Sequence, residues 1–500
     1  MEPLLRGRSA AWYFGAALAG AVFALIVAQA LALEPRYAAA FIVGVLLLSL
    51  SISVPGYLPN VLLYVLAFNL SFTSIEKTFF VTQESTFVIS GLPVGLADIC
   101  MIGLYLIWFG RIFIARTERI PRLTALDWWV LAFWCCHLLS VLVATSRGLA
   151  LLEVVRLGKY ALLYFYLKNN LRRQHLKWIM AGILFTVLVQ SSLALVQYRS
   201  GSFLGIGRTK GASDLNYEQY TVTGFENVSR AEGTTFDSHA LGLLFGMTLP
   251  VPLALSLAKG LRPRYRLAAG AVFILGVPGL VVCFARAGWA AFAGAAAVLL
   301  FCLARGQYRG KLKRLVPTAV VTAAIAVILL LPFAAKVRQR LFEAPPELVT
   351  GRIETAQMAM EMWQERAWLG IGANNYMRTM ELEFSVFEGD PYFIPVHNMI
   401  LFVMTELGVI GLAVFLCLGG AVVLADWRAA RSEEPVLQGI GAAMLGSLAA
   451  LMIEGLFDPI YTTTVTYFML WFQIGLGAGA FEMARASARA CPKKMDIAPI

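Results

Sequence analysis

Three arginines and one histidine stand where long apolar runs begin or end, and a fourth arginine opens a helix in the loop between two such runs, places suited to act on a charged ligand. Arg147 follows the run 125–145, and Arg230 precedes Glu232-Gly233-Thr234-Thr235-Phe236 at the entrance to the run 238–258. Arg286 sits in Phe284-Ala285-Arg286-Ala287-Gly288-Trp289 between two runs, and Arg352 opens a polar helix. A guanidinium fork matches phosphate oxygens through paired hydrogen bonds, so a phosphorylated ligand would account for the group. For any single arginine, lipid-headgroup contact or pairing with Glu232, Glu354 or Glu361 is an equal alternative. His397, in Pro395-Val396-His397-Asn398 ahead of the run 400–425, is the candidate general base. The positive end of the helix dipole disfavours imidazolium and leaves the ring able to accept a proton. The same helix end can help hold a phosphate. A structural role for a lone interfacial histidine stays open beside this. His239 is the second outer histidine, His137 reads as a core residue, and His175 lies in a basic connector.

Several familiar sites are missing from the sequence. There is no P-loop, H-E-x-x-H, G-x-S-x-G or D-x-D, and Gly205-Ile206-Gly207 is a weak glycine pair. The Asn227-Val228-Ser229 sequon reads as chance. No cysteine lies in a long polar loop and no C-x-x-C occurs, so neither a disulfide framework nor a zinc site is indicated. The expectation is an enzyme with no metal and no cofactor.

The elements that must position these groups are membrane helices. Hydrophobic residues make up 59% of the 500 and charged residues only 14%, where soluble domains carry roughly 25% charged. Apolar runs of about the ~20 residues a bilayer-spanning helix needs fall near 11–33, 37–53, 56–70, 94–114, 125–145, 149–167, 177–197, 238–258, 266–284, 288–304, 315–334, 400–425, 437–455 and 461–482. Arg6 and Arg8 before the first run suggest a retained span, since that run is longer than a usual signal-peptide core of ~7–15 residues. The net charge of +11 sits mostly in alternate connectors, such as Arg111, Arg116, Arg119 and Arg122, then Lys259, Arg262, Arg264 and Arg266. All fall on one side if both termini are cytoplasmic, which explains the charge without a nucleic-acid partner. The other side receives the loops 71–93, 198–237 and 335–396. The last predicts a helix from Thr350 to Leu369, with Ile353, Ala356, Met360, Trp363 and Ala367 on one stripe; it would lie on the membrane surface, lid a cavity or equally pack on the bundle. The expected fold is therefore an all-α polytopic bundle of about 12–14 transmembrane helices with a long periplasmic loop containing an amphipathic helix. Its organisation reads as a bundle over 1–334, the loop 335–396 and C-terminal helices over 397–500. Glu153, Arg156 and Lys159 share one face of the sixth run, and Glu454 and Asp458 end the thirteenth. Each set suits either acceptor contact or a structural ion network.

Four segments resemble the O-antigen ligase/polymerase family of membrane glycosyltransferases. They are Arg230-Ala231-Glu232-Gly233-Thr234 and Ala285-Arg286-Ala287-Gly288-Trp289, then Gly351-Arg352 through Trp363 and Trp368 to Gly370-Ile371-Gly372-Ala373-Asn374-Asn375-Tyr376. The fourth is His397-Asn398 followed by Thr405-Glu406-Leu407-Gly408-Val409-Ile410-Gly411. Ala285 stands where the family usually has serine, which removes a hydroxyl from the implied phosphate site. The resemblance covers about residues 220–425 and implies a GT-C-like fold and an undecaprenyl-pyrophosphate-linked glycan donor. A glycan or lipid-linked acceptor would supply the hydroxyl, and a chain-length regulator protein is a further expected partner. It implies His397 and Arg286 as catalytic, with Arg230, Arg352, Arg147, Glu232, Asn398 and Glu406 binding substrate. Activity is expected to be metal-independent and inverting, on the periplasmic face of the bacterial inner membrane. Within the family a polysaccharide polymerase is the first expectation, with a lipid A-core ligase or a protein O-oligosaccharyltransferase as alternatives. Outside it, a flippase for lipid-linked sugars is the rival, and it should show repeat symmetry and broken helices.

Charge alternation makes the topology testable. Single cysteines at Ser213 and Ser385 should react with an impermeant reagent in intact spheroplasts; labelling only after membrane disruption would reverse the assignment.

Overall fold

A computed structural model describes residues 57–72, 77–79, 91–202, 204, 230–235, 237–309, 328, 331–342, 347–386, 394–458 and 464–490. Helices dominate these residues; the only strands among them are Lys77–Phe79 and Leu92–Val94. In chain order the helices are α1 (Leu58–Phe68), α2 (Leu96–Phe109), α3 (Ala125–Ser140), α4 (Arg147–Asn170) and α5 (Arg173–Ser200). Next come α6 (Ser238–Thr248), α7 (Pro250–Leu257), α8 (Pro263–Val282) and α9 (Arg286–Arg305). Three loop helices follow, α10 (Ala334–Phe342), α11 (Glu347–Glu365) and α12 (Tyr376–Glu383). Last are α13 (Met399–Ala429), α14 (Pro435–Gly455) and α15 (Thr464–Ala490).

Among the described residues, eight helical segments are long and apolar enough to cross a membrane. Leu58–Ser71 and Ala125–Ser140 are shorter apolar helices, and α4 is long enough at 24 residues but carries buried charge. In α4, Arg156 pairs with Glu153 at 2.6 Å and lies over the Tyr467 ring at 4.7 Å, so that charge is held by ion pairing and cation–π contact. The protein is an all-α polytopic membrane protein, as its hydropathy implies. The expected spans 11–33, 37–53 and most of 315–334 lie outside the described residues.

The contacts divide the chain into two compact units. The smaller comprises 1–78, 93–120 and 172–186; within it Gly182 of α5 lies directly against α1 at Tyr64 and Ala67. Thr186 donates to the Phe68 carbonyl at 2.9 Å there. The larger unit holds α3, α4, the rest of α5 and α6–α15. Its tightest pairing is α9 on α14. Small residues permit that approach: a Cβ at Gly446 would lie 2.7 Å from the Ala295 carbonyl oxygen. At the start of α9 the same device recurs, with Gly288 packed on the backbone of Gly242 in α6.

The loop 335–396 holds the helix expected over Thr350–Leu369, with its ends shifted toward the N-terminus, and two further helices beside it. It contains α10, α11 and α12, and α11 starts at Glu347 and ends at Glu365. The buried stripe is Thr355, Ala359 and Met362, while Ile353 is 54% exposed. The cause is packing against α13, where the Thr405 hydroxyl donates to the Ala359 carbonyl at 3.1 Å. The chain then leaves the helix to fill a break in α13. Gly408 has φ 65° and ψ −170°, which interrupts the helical ladder. The freed groups are satisfied by the loop: Val409 N–H donates to the Ala367 carbonyl and Gly372 N–H to the Glu406 carbonyl, at 2.9 and 3.0 Å. Ile371 N–H donates to the Thr405 carbonyl at 3.0 Å. Side chains join in, the Glu406 carboxylate accepting from Asn374 N–H at 2.9 Å and Tyr376 N–H at 3.2 Å.

Gly408 therefore has no substitute. A Cβ there would meet Trp368 backbone at 2.3 Å, in a left-handed conformation that costs an L-residue about 1–2 kcal/mol before any clash. Gly408→Ala should lower thermal stability in detergent markedly. Gly419→Ala, in the same helix with nothing within 4 Å, should leave it unchanged or raise it. Equal melting temperatures for the two variants would remove the interlock as a stability element.

Candidate functional site

One tight turn organises the arginines. Phe284 links α8 to α9, has φ 49° and is fully buried against Tyr198, Trp289 and Val337. Its conformation turns two successive carbonyls toward guanidinium groups. Arg230 donates through Nε to the Cys283 carbonyl and Arg340 through Nε to the Phe284 carbonyl, each at 3.1 Å. Two residues beyond Phe284, Arg286 opens α9. The Trp289 indole donates back to the Leu280 carbonyl at 3.2 Å, which fixes the turn between the two helices.

The segment carrying Arg230 is held separately. Gln197 of α5 accepts from Gly233 N–H at 2.8 Å and donates to its carbonyl at 3.0 Å. Gln190, two helical turns earlier, accepts from Thr234 N–H at 3.1 Å and donates to its hydroxyl at 2.7 Å. Both glutamines are fully buried, so the loop is registered on α5 by amide pairing. Gln197 also accepts from the Glu232 N–H at 3.2 Å, which places that carboxylate in reach of Arg230.

The result is a concentrated positive field. Burial, and then the charges of Arg230, Arg286 and Arg352, push Arg340 down to about 10. Burial also pulls Arg230 below the ordinary arginine value, against the raising effects of Asp237, Glu232 and Asp458. One guanidinium nitrogen of Arg230, Nη2, is buried without a hydrogen-bond partner among the described residues. Like charges held this close favour a polyvalent anion, which relieves their repulsion and supplies acceptors. Arg352 is exposed on α11, within electrostatic reach of Arg286, His397 and Asp458.

His397 lies at the edge of this field, just before α13. Burial, then the Arg352 charge, push its imidazole down to about 4, with the Pro395 carbonyl and Asp237 acting the other way. The ring is thus neutral at physiological pH, the state a general base needs. An acidic group faces it. His239, near the start of α6, has Nδ1 3.5 Å from Asp458 and 4.0 Å from the buried Glu454. Asp237 caps that helix by accepting from His239 N–H at 2.8 Å. Burial and then Asp237 raise Asp458 to about 7. Ligand atoms of His239, Glu454 and Asp458 lie within 4.8 Å of one another, a spacing that could hold a cation. Arg230 bears on both carboxylates and already supplies positive charge there.

Of the residues singled out by sequence, Arg230, Arg286, Arg352 and His397 come together, with Glu232 beside them. Three others have different surroundings. Arg147 is exposed at the first position of α4. The Asn398 side-chain oxygen is committed to capping α13, accepting from Ile400 and Leu401 N–H at 3.0 and 3.1 Å. Glu406 is buried and braces the Asn374–Tyr376 loop, so it positions rather than contacts. Sequence reasoning passed over Arg340 and Asp237. Arg340 had a signal, because Lys336, Arg338 and Arg340 put basic charge in a loop assigned to the outer side.

The neutral histidine gives a pH signature. The acid limb of kcat/KM, which reports the free enzyme, should fall well below the ordinary imidazole value, near the folded pKa of about 4. Arg352→Gln removes a charge that lowers this pKa and should move the limb upward. A wild-type limb at 6.5 or above, unmoved by Arg352→Gln, would detach His397 from the arginine field.

Comparison with known proteins follows the same residues. No curated protein matches the chain. A solved structure described as "Structural coordination of polymerization and crosslinking by a peptidoglycan synthase complex" aligns at 16% identity and TM-score 0.37. The alignment covers 72% of this chain and 97% of that one, and at that score it bears on neither fold nor function. The family model described as O-antigen ligase matches residues 271–416, which contain Arg286, Arg340, Arg352 and His397. Over that segment the chain is similar to the O-antigen ligase family, and the match supports a membrane enzyme of the glycosyltransferase type.

Proposed function

We propose that this protein transfers glycan from an undecaprenyl-pyrophosphate-linked donor to a sugar hydroxyl, on the periplasmic face of the bacterial inner membrane. The observation that carries the reading is the arginine cluster around Phe284 with a neutral histidine at its edge, all but Arg230 inside the matched segment. Arg230, Arg286 and Arg340 hold the diphosphate, and Arg352 closes on it from α11. As the anomeric carbon–oxygen bond breaks, charge builds on the departing diphosphate and the fixed guanidinium groups stabilise it, commonly the largest catalytic contribution. His397 takes the proton of the acceptor hydroxyl as the new glycosidic bond forms, so polyprenyl diphosphate leaves and the anomeric configuration inverts.

The low proton affinity of the free histidine fits this sequence of events. An anion seated among the arginines offsets the charge that depresses the imidazole, so donor binding raises the ring's basicity when it is needed. Metal is not required, because the arginines take the role of a divalent ion. The product most in keeping with the long loops is a surface polysaccharide, made by a polymerase. Ligation onto lipid A-core and transfer to protein are the alternatives within the same chemistry. Both termini are assigned to the cytoplasm by the charge alternation.

A flippase for lipid-linked sugars would also want arginines, and one variant separates the readings. His397→Ala, purified in lipid and assayed in excess EDTA alongside wild type, should bind lipid-linked donor normally. Its glycan transfer should drop by about 10²-fold or more. Transfer within a few-fold of wild type with donor binding intact would rule out His397 as the base and return attention to Glu232 and His239. Wild-type loss of activity in EDTA, restored by a divalent ion, would overturn metal independence.

A further inference from the structure

The far end of the same bundle carries a charged cavity that the proposed reaction does not use. It measures about 620 Å³ and is lined by Arg305, Arg309 and Arg431 with Trp427, Gln438 and Cys302 among its walls. No carboxylate lines it, and none of the three arginines forms an ion pair among the described residues. These residues sit at the end of α9, the end of α13 and the start of α14, the ends opposite to those that carry Arg286, His397 and Glu454. The 20 residues of α9 separate the two places by about 30 Å at ~1.5 Å per residue, the thickness of a bilayer's hydrocarbon core.

The cavity is built rather than merely basic. Arg431 lies over the Trp427 ring at 4.5 Å and Arg305 over the Phe301 ring at 4.6 Å. Those two rings stack on each other at 6.4 Å across α9 and α13, so both guanidinium planes rest on one aromatic pair. Behind them the buried Gln438 accepts from Gln307 N–H at 2.7 Å and fixes the turn that follows α9. One helical turn toward the apolar middle, Phe301, Val423 and Leu424 are exposed. A polar, cation-lined mouth thus continues into an apolar outer surface.

We propose that this cavity binds the phosphate headgroup of an acidic phospholipid, with its acyl chains lying along the exposed apolar faces of α9 and α13. Basic pockets between transmembrane helices at the surface suit such headgroups, and each nearby arginine adds to the attraction. A soluble phosphate would find the same arginines but would leave Phe301, Val423 and Leu424 uncovered.

The experiment is lipid retention on the purified full chain, read by native mass spectrometry after exchange into mixed micelles. The micelles hold phosphatidylglycerol and phosphatidylcholine in equal amounts. Wild type should retain phosphatidylglycerol over phosphatidylcholine, and millimolar inorganic phosphate should not displace it. Arg305→Gln with Arg431→Gln should cut the phosphatidylglycerol retained by about tenfold or more, whereas Arg286→Gln, at the other end, should spare that component. Equal retention by the double variant and wild type would overturn the proposal. Displacement by inorganic phosphate would overturn the lipid assignment and leave a soluble-anion site. The wild-type selectivity is measured without any substitution, and its absence would overturn the proposal even if the double variant failed to assemble. Because the readout is bound lipid, failure here is distinct from any failure of the glycosyl-transfer reading.

Discussion

Like-charge repulsion among crowded guanidinium groups is the constraint around which the larger unit is arranged. Arg230, Arg286, Arg340 and Arg352 raise one another's electrostatic energy, and nothing about their side chains alone would keep them together. The turn at Phe284 offsets this by presenting the Cys283 and Phe284 carbonyls as acceptors, and the buried phenyl ring locks that turn. Hydrogen bonds to charged donors are worth about 1.5–3 kcal/mol each, so these two, with the nearby carboxylates, act against the repulsion. The cluster is stable enough to exist and unsatisfied enough to want an anion.

The acidic residues are the other half of that balance. Asp237, Glu454 and Asp458 arrive from the start of α6 and the end of α14, helices that both pack on α9. Small residues at Gly242, Gly288 and Gly446 let these backbones close to van der Waals contact, which sets the depth at which the two charge groups face each other. His239 sits between the carboxylates Glu454 and Asp458, whereas His397 lies within electrostatic reach of Arg352, so the two rings differ in their charged neighbours.

The break at Gly408 links the loop to this machinery. Loop residues 367–372 complete the hydrogen bonds that the kinked helix leaves open, and Glu406 holds the following turn from inside α13. Arg352 reaches the site from α11, which is clamped to the same helix by Thr405. In a transporter a broken helix commonly offers its open backbone to cargo. Here the open backbone is occupied by the protein's own chain, which makes the break a joint for the loop.

Membrane character and the positions of most of the described membrane helices could be read directly from the sequence, because ~20-residue apolar runs between basic connectors follow from the cost of exposing backbone to lipid. Arg230, Arg286, Arg352 and His397 were also legible, since arginine in a loop opposite the basic connectors needs a local reason and a histidine before a helix has an evident one. Arg340 carried the same anomaly within Lys336–Arg340 but lay apart from any recognisable motif. The roles of Asn398 and Glu406 were not legible, because a cap and a brace differ from a ligand only in which backbone N–H groups they meet. The true face of α11 was hidden for a related reason. Its stripe was read from hydrophobicity, whereas the tertiary contact is a hydroxyl on a carbonyl, and that selected Thr355 and Ala359 over Ile353. Periodicity reports which residues avoid water; only the packed structure decides which polar groups must find each other once water is gone.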